Sequence, residues 1–192
     1  MMPTREDAWE LLNHYTKNPN LIKHALAVEA AMRAYARQFG QEEEKWGLVG
    51  LLHDFDYDRF PDPKDHPLVG AEILQERGYP EDIIYAIKAH ADYLGLPRQS
   101  RMDKTLFAVD ELCGFITAVT LVRPNKRVAD VPVRSVKKKL KDKAFARSVN
   151  RHDIRLGAEE LGVELDSHIG FVVQAMAGVA GELGLEGKSQ PA

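Results

Sequence analysis

Apolar residues recur along the chain at the three- and four-residue spacing of an α-helix, and no strand-like alternation persists beyond about four residues. The clearest stripe lies in the segment 21–39, where Leu21, Val28, Met32 and Phe39 fall on one face. A glycine follows this segment directly, as is common at the C-terminus of a helix. The pattern therefore predicts an all-α fold, in which amphipathic helices pack around a shared core.

Nine helices follow from this periodicity and from the polar and proline-containing breaks between its segments. They are predicted over residues 5–15, 21–39, 41–52, 67–77, 80–90, 102–121, 136–140, 151–161 and 166–183. Thr4 is the predicted N-cap of the first helix, with Asp7 in the place of a capping-box acid. We expect residues 1–125 to form one helical domain, and residues 126–185 to supply a basic connector and C-terminal helices packed on it. Residues 186–192 are expected to be a disordered tail.

The net charge of −3 conceals a basic segment between two acidic ones. Residues 123–155 carry 12 Lys and Arg against three Asp, whereas residues 1–122 carry 13 Lys and Arg against 20 acidic residues. Residues 156–192 are acidic again, with one Lys against six acids. A basic band of this kind indicates a surface that faces anions or, more simply, a solvated basic helix.

The composition is that of an ordinary globular protein, with 44% hydrophobic and 29% charged residues. No apolar run approaches the roughly 18–20 residues that a transmembrane helix needs, and the N-terminal residues lack the pattern of a signal peptide. Cys113 is the single cysteine, which excludes an internal disulfide and fits a reducing cytoplasm. We therefore expect a cytoplasmic protein with no membrane partner.

Two adjacent polar residues, His53 and Asp54, follow the apolar end of the third predicted helix, and His24 and Asp110 sit at apolar-face positions of two others. Burial of such groups is costly unless a partner satisfies them, and a divalent metal satisfies imidazole and carboxylate together. Taken singly, each residue has a plainer explanation as a helix cap, a surface residue or an ion-paired acid. Taken together, the four predict a metal site with two histidines, two carboxylates and positions left for water.

Further sequence elements stand in order around these four residues. The full set consists of His24, Leu51-Leu52-His53-Asp54, His66-Pro67-Leu68-Val69-Gly70, Ala86-Ile87-Lys88-Ala89-His90 and Val109-Asp110-Glu111-Leu112. His53 follows His24 by 29 residues. Over about residues 18–122 this set resembles the HD-domain superfamily of metal-dependent phosphohydrolases, in particular its HDIG-type members. The resemblance implies an HD-type helical bundle that binds one or two divalent ions, of Mn, Fe, Ni, Zn or Mg.

The resemblance also implies a role for each matched residue. One ion would be held by His24, His53, Asp54 and Asp110, and a second by Asp54, His66 and His90. Asp54 would bridge the two ions and be the central catalytic residue. The elements His66-Pro-x-x-Gly and Ala-Ile-x-x-His resemble those of two-metal branches such as the HD-GYP phosphodiesterases and the helical bis(5′-nucleosyl)-tetraphosphatases. The chain departs from the HD-GYP pattern at Ala91, where that pattern has a second histidine, and at Leu96, where it has tyrosine.

Residues outside the ligand set are predicted to handle water and phosphate. Asp56 and Asp58, in the loop after the ligand pair, are placed to orient a water or take its proton, although plain loop solubility is the slightly favoured explanation. If the basic segment folds back over the metal site, phosphate charge would be bound by Arg101, Lys138, Lys139 and Lys143. Few aromatic residues accompany them, so nucleic-acid binding is an open but less favoured alternative.

The chain is thus predicted to be a metal-dependent phosphohydrolase that acts on a small phosphate ester or a nucleotide. One alternative is a phosphodiesterase for dinucleotides or RNA ends. A second alternative is a non-catalytic module that senses a metal or a nucleotide, since a fold match does not guarantee turnover. A third is a purely structural helical bundle. The sequence leaves the oligomeric state open.

Overall fold

The computed structural model describes residues 2–187, and within this range the chain forms α-helices and no β-strand, which confirms the predicted all-α class. None of the helices in this range combines the length and apolar character that crossing a membrane requires. In chain order they are α1 (Arg5–Tyr15), α2 (Pro19–Phe39), α3 (Glu43–Leu52), α4 (Leu68–Glu76), α5 (Glu81–His90), α6 (Arg101–Leu121), α7 (Val133–Lys141), α8 (Arg151–Leu161), α9 (Leu165–Ala177) and α10 (Ala180–Leu183).

Local sequence signals set where the helices begin and end. The Thr4 hydroxyl accepts a hydrogen bond from the Asp7 backbone N–H, and the Asp7 carboxylate accepts one from the Thr4 N–H, so the predicted capping box is present. Ser100 forms a second capping box at the start of α6. Gly40 follows α2 with a φ of 63°, in the left-handed region that glycine adopts without strain.

The two longest helices, α2 and α6, form the centre of the bundle. Helix α2 packs against α3 and α6, and α6 packs in turn against α5 and α8. Met32 and Tyr35 of α2 and Phe115 of α6 are fully buried in the core between these helices. This packing brings His24, near the start of α2, beside Asp110 in the middle of α6.

A glycine allows α8 to pack closely on α6. A Cβ atom at Gly157 would lie 2.6 Å from the Cα atom of Ala108, closer than two carbon atoms approach without a clash. Ala108 precedes Asp110 by two residues, so the backbone of α6 cannot move away from α8 without moving that carboxylate as well. Helix α8 therefore helps to set the position of Asp110.

We expect Gly157→Ala to lower the free energy of unfolding by about 1–3 kcal/mol, because the added methyl group overpacks this contact. Gly114→Ala in α6 is the matched control, since a Cβ atom there meets no neighbour within 4 Å. The control is expected to stabilise the protein by about 0.5–1 kcal/mol through helix propensity. Urea unfolding followed by circular dichroism measures both changes. A Gly157→Ala protein as stable as the unchanged chain would contradict the close contact.

A buried polar contact fixes α9 against α2 and α6. The Tyr35 hydroxyl donates to Nδ1 of His168 at 2.6 Å, and the Nε2–H of His168 donates to the Ala108 carbonyl oxygen at 2.8 Å. Burial lowers the pKa of His168 below its ordinary value, so the ring stays neutral with one donor and one acceptor nitrogen. The contact is a second restraint on α6 near Asp110.

The C-terminal helices differ from the sequence prediction in two places. Helix α7 begins at Val133, directly after a proline, and is longer than the predicted 136–140. The single helix predicted over 166–183 is wrong, because Val179 leaves helical geometry and divides it into α9 and α10. The turn between the two helices allows Leu183 to pack into the core.

The structure describes the first two residues of the predicted tail, Glu186 and Gly187. Glu186 forms an isolated antiparallel bridge with Arg127, so the first residue of the predicted tail is paired with the connector before α7. The rest of that prediction, residues 188–192, lies outside the described residues.

Candidate metal centre

Six polar side chains from separate parts of the bundle meet in one cluster. They are His24 in α2, His53 and Asp54 directly after α3, His66 just before α4, His90 at the end of α5 and Asp110 in α6. Their nitrogen and oxygen atoms form two groups that share Asp54, and the atoms of each group lie within 4.8 Å of one another. The structure therefore brings together all six residues for which the sequence predicts metal ligation.

The first group contains His24, His53, Asp54 and Asp110. Nε2 of His24 lies 2.9 Å from Oδ1 of Asp110 and 3.3 Å from Nε2 of His53. Nε2 of His53 is in turn 3.4 Å from Oδ1 of Asp110 and 3.4 Å from Oδ2 of Asp54. Two imidazoles and two carboxylates thus surround a common point.

The second group contains Asp54, His66 and His90, and it uses the other oxygen of the Asp54 carboxylate. Oδ1 of Asp54 lies 3.2 Å from Nε2 of His66 and 3.3 Å from Nε2 of His90. Since Oδ2 faces the first group, each oxygen of Asp54 belongs to a different set of ligands. This is the geometry of a carboxylate that can bridge two ions.

Backbone and carboxylate acceptors behind the rings determine which nitrogen of each histidine faces the cluster. Nδ1 of His53 donates to the Gly50 carbonyl oxygen at 2.8 Å, and Nδ1 of His90 donates to the carbonyl oxygen of Ile87. Because Nδ1 keeps its proton, Nε2 is the nitrogen of each ring that can offer a lone pair to a metal once it has lost any proton of its own. Because these nitrogens and the anionic oxygens converge on common points, the arrangement suits a divalent cation that would replace the protons on the rings.

Asp56 fixes the orientation of the His66 ring, as the backbone carbonyl groups fix those of His53 and His90. Its carboxylate is buried, accepts a hydrogen bond from Nδ1 of His66 at 2.7 Å and accepts another from the Gly70 backbone N–H at 2.9 Å. The residue therefore lies behind His66, which corrects the prediction that it orients a water. A Cβ atom at Gly70 would lie 2.8 Å from this carboxylate, which explains the glycine in His66-Pro-x-x-Gly.

Asp58 has a different position from the predicted catalytic one. Its exposed carboxylate accepts hydrogen bonds from the backbone N–H groups of Lys17 and Asn18, at 2.7 and 3.0 Å, just before α2. The residue does not line the cleft that contains the cluster. Asp58 ties its loop to the start of α2 and does not face the cluster.

Opposite charges dominate the electrostatics of the cluster. Although burial opposes its charged form, the carboxylates of Asp54 and Asp110 hold the pKa of His53 well above its ordinary value. Burial likewise opposes ionisation of Asp54 and Asp110, yet His53 keeps the pKa of both carboxyls well below the usual range. Burial is again outweighed at His66, where Asp54 and Asp56 raise the pKa to about 9. The carboxylates thus stay ionised at neutral pH, and metal binding would displace protons from the rings.

A cleft of about 730 Å³ opens onto the cluster. Besides Asp54 and Asp110, its lining includes the carboxylates of Asp92, Glu111 and Asp153. Burial, followed by the charge of Asp110, raises the pKa of Glu111 to about 7. None of the described residues that line this cleft is a lysine or an arginine. The cleft is therefore acidic, with its charge offset in part by the protonated rings of His53 and His66.

The structure does not bring the four predicted phosphate-binding residues, Arg101, Lys138, Lys139 and Lys143, into this cleft. The Arg101 guanidinium lies over the ring of Phe39, and Lys139 lies over the ring of Phe145. Lys138 faces a separate shallow groove on α7, and Lys143 is exposed after that helix. For Lys138 and Lys139 the prediction is corrected because α7 turns its apolar residues, Val136 and Leu140, towards the core and its lysines away from it.

Sequence reasoning missed several residues that line the cleft. Tyr57 and Tyr93 come from the loops after α3 and α5, and Ser148 and Asn150 come from the segment before α8. Irregular loops carry no periodic signal, so nothing in the sequence pattern places these side chains beside the cluster. Only the packing of α8 on α6 brings the segment before α8 to the site.

A helical bundle with these histidines and carboxylates at its centre has the features of a metal-binding hydrolase domain. Residues 21–114 match the family model for the HD domain, and this range contains all six clustered residues. The chain therefore belongs to the HD-domain superfamily, a superfamily of metal-dependent hydrolases.

Three similar curated proteins carry the name Ribonuclease Y. The protein of Oleidesulfovibrio alaskensis is 30% identical over 96 residues, which are 50% of this chain and 18% of the relative. That of Nitratidesulfovibrio vulgaris is 31% identical over 96 residues, with the same coverage. That of Desulfotalea psychrophila is 28% identical over 144 residues, covering 73% of this chain and 27% of the relative. The chain thus spans only about a fifth to a quarter of these relatives. No solved structure matches the chain.

Proposed function

We propose that the chain is a metal-dependent phosphohydrolase that cleaves a phosphoester bond in a small phosphate ester or a nucleotide. The observation that carries this proposal is the six-residue cluster of histidines and aspartates, which opens onto a cleft of about 730 Å³. The volume lies within the range of small-molecule sites. Membership in a superfamily of metal-dependent hydrolases supports the same conclusion.

Each residue of the cluster has a definable task in this proposal. His24, His53, Asp54 and Asp110 would hold one divalent ion, and Asp54, His66 and His90 a second. A divalent ion supplies Lewis acidity towards a phosphoryl oxygen and makes water a stronger nucleophile at neutral pH. Asp56 keeps the His66 ring in its ligating orientation. Phosphoryl transfer needs little further covalent help, because it depends mainly on positioning and charge neutralisation.

The acidic lining of the cleft makes bound ions essential for substrate binding. Five carboxylates line it, and no lysine or arginine stands among its described lining residues. A phosphate group entering this field would be repelled unless divalent cations neutralised it. The proposal therefore requires that metal-free protein neither binds nor cleaves phosphate esters.

A second candidate is a phosphodiesterase that acts on dinucleotides or on RNA ends. The observation that favours it is the name Ribonuclease Y, shared by the relatives described above. The basic face of α7, which includes Arg134, Lys138 and Lys141, supports it as well, because sequence-independent nucleic-acid binding depends on phosphate contacts with lysine and arginine.

A substrate screen tests the two candidates together. The purified chain is loaded with Mn²⁺, Fe²⁺, Ni²⁺, Zn²⁺ or Mg²⁺ and assayed with chromogenic phosphate mono- and diesters, nucleoside monophosphates, dinucleotides and short RNA. We expect metal-dependent turnover that EDTA abolishes and that returns on adding the ion back. Turnover of diesters and RNA alone would select the second candidate. Metal binding without turnover of any substrate would contradict both candidates, and a non-catalytic sensing module would then be the remaining explanation.

A further inference from the structure

Two tyrosines in the cleft are exposed in a way that the metal cluster does not explain. Six large apolar side chains are exposed among the described residues, and Tyr57 and Tyr93 are the two aromatic ones. Both line the cleft, with exposed fractions of 41% and 56%. Aromatic rings left accessible in a binding cleft offer a large flat surface for stacking at little entropic cost.

Both rings are held in place beside His66. The Tyr57 ring packs edge to face with the His66 ring, with 5.2 Å between the ring centroids and an interplanar angle of 85°. The Tyr93 hydroxyl donates to the His66 backbone carbonyl oxygen at 2.6 Å. Burial, followed by the charges of Asp54 and Asp56, raises the pKa of Tyr93, so this hydroxyl keeps its proton. The two rings therefore have defined positions next to the second ligand group.

The rest of the cleft offers little else that would recognise a substrate. Its remaining carboxylates repel anions, and Asp92 is already hydrogen-bonded to Arg98 at 3.1 Å. The other walls include the apolar side chains of Leu21, Pro61 and Pro63. Ser148 and Asn150 also line the cleft, and the rest of its unpaired surface offers apolar and aromatic contact beyond the metal-held phosphate.

We propose that Tyr57 and Tyr93 form an aromatic subsite that stacks against the planar base of a nucleotide whose phosphate lies at the metal cluster. The inference rests on the proposed function and narrows its substrate class from phosphate esters in general to nucleotide units. A cleft of about 730 Å³ is large enough for such a unit. A free mononucleotide and the last nucleotide of an RNA share this chemistry.

Paired substrates with and without a base test the subsite on the Mn²⁺-loaded full chain. One pair is adenosine 5′-monophosphate and ribose 5-phosphate, which carries a hydroxyl group at C1 in place of the base. The other pair is a short RNA and the same RNA with an abasic terminal ribose. We expect kcat/KM to be at least about tenfold higher for the base-bearing member, because stacking on aromatic side chains contributes this much per base. The pair with the higher turnover identifies whether the source is a free nucleotide or an RNA end.

Substitutions then assign the preference to the two rings. We expect Tyr57→Ala and Tyr93→Ala each to lower the ratio of kcat/KM between base-bearing and baseless substrates by at least about fivefold, mainly through KM for the base-bearing member. Tyr57→Phe is expected to restore the ratio fully, since it keeps the ring and its packing on His66. Tyr93→Phe is expected to restore the ratio only in part, since it keeps the ring but loses the hydrogen bond to the His66 carbonyl oxygen. Leu121→Ala is the control, because it removes an exposed apolar side chain outside the cleft.

The outcomes separate this inference from the proposed function. Equal kcat/KM for both members of each pair, or alanine variants that keep the preference, would overturn the subsite while leaving the phosphohydrolase intact. Absence of turnover with every substrate would overturn the proposed function instead. Equilibrium dialysis of adenosine 5′-monophosphate and ribose 5-phosphate against Mn²⁺-loaded protein then decides the subsite. Tighter retention of the nucleotide, lost in Tyr57→Ala, supports the subsite, and equal retention overturns it.

Discussion

Asp54→Ala is expected to remove metal binding at both ligand groups and to lower kcat/KM by about a thousandfold or more. One oxygen of this carboxylate faces His53 and the other faces His66 and His90, so the substitution takes a ligand from each group. Loss of the ions removes several kcal/mol of transition-state stabilisation, and about 1.4 kcal/mol corresponds to a factor of ten in rate.

Metal content by inductively coupled plasma mass spectrometry and kcat/KM on the same preparation measure this effect. His152→Ala is the control, because His152 is the first residue of a second His-Asp pair but is exposed in α8 and does not line the cleft. We expect the control to keep its metal and activity. Circular dichroism establishes that the Asp54→Ala chain is folded, and Asp54→Asn provides a nearly isosteric alternative if it is not. Full metal content in a folded variant would contradict the assignment.

Asp56→Ala is expected to weaken the second ligand group selectively. The substitution removes the acceptor that fixes the His66 ring and leaves the Gly70 N–H without its partner. Loss of a carboxylate behind a ligating histidine lowers metal affinity by about 10- to 100-fold. The two unpaired buried donors lower the free energy of unfolding by about 1–3 kcal/mol.

Asp58→Ala is the matched control for Asp56→Ala. Both residues lie in the loop after His53-Asp54, but Asp58 is exposed and binds only the backbone before α2. Titration of each metal-free variant with Mn²⁺, followed by calorimetry, is expected to show one weakened site in Asp56→Ala and unchanged affinities in Asp58→Ala. Equal affinities in the two variants would mean that Asp56 has no positioning role.

The six clustered residues were accessible to sequence reasoning because helices and short motifs carry them. His24 and Asp110 interrupt the apolar faces of amphipathic helices, and His53 and His90 end two others. Such positions face the interior when the helices pack, so polar residues there need a partner. The fold class followed from the same periodicity, since helical spacing depends only on neighbouring residues.

The roles of the loop acids were not accessible in this way. Asp56 and Asp58 are two residues apart in one polar loop, yet the first is buried behind His66 and the second is exposed. The difference arises from contacts with Gly70 and with the start of α2, which are distant in sequence. No local pattern encodes such contacts, so the two aspartates looked equivalent.

The orientation of the basic segment could not be predicted from the sequence either. Its composition predicts a helix with one charged face, and α7 has that form. Where the charged face points depends on how Val136 and Leu140 pack into the core, which sequence periodicity does not determine. The lysines consequently face solvent on α7 and do not line the cleft.

The central claim is that the histidine and aspartate cluster holds divalent ions, and an anomalous difference map from crystals grown with Mn²⁺ tests it most directly. The account predicts two peaks, one among His24, His53, Asp54 and Asp110 and one among Asp54, His66 and His90, with Asp54 between them. A map with no peak within the cluster, or with Mn²⁺ bound only to acidic residues elsewhere on the chain, would contradict it.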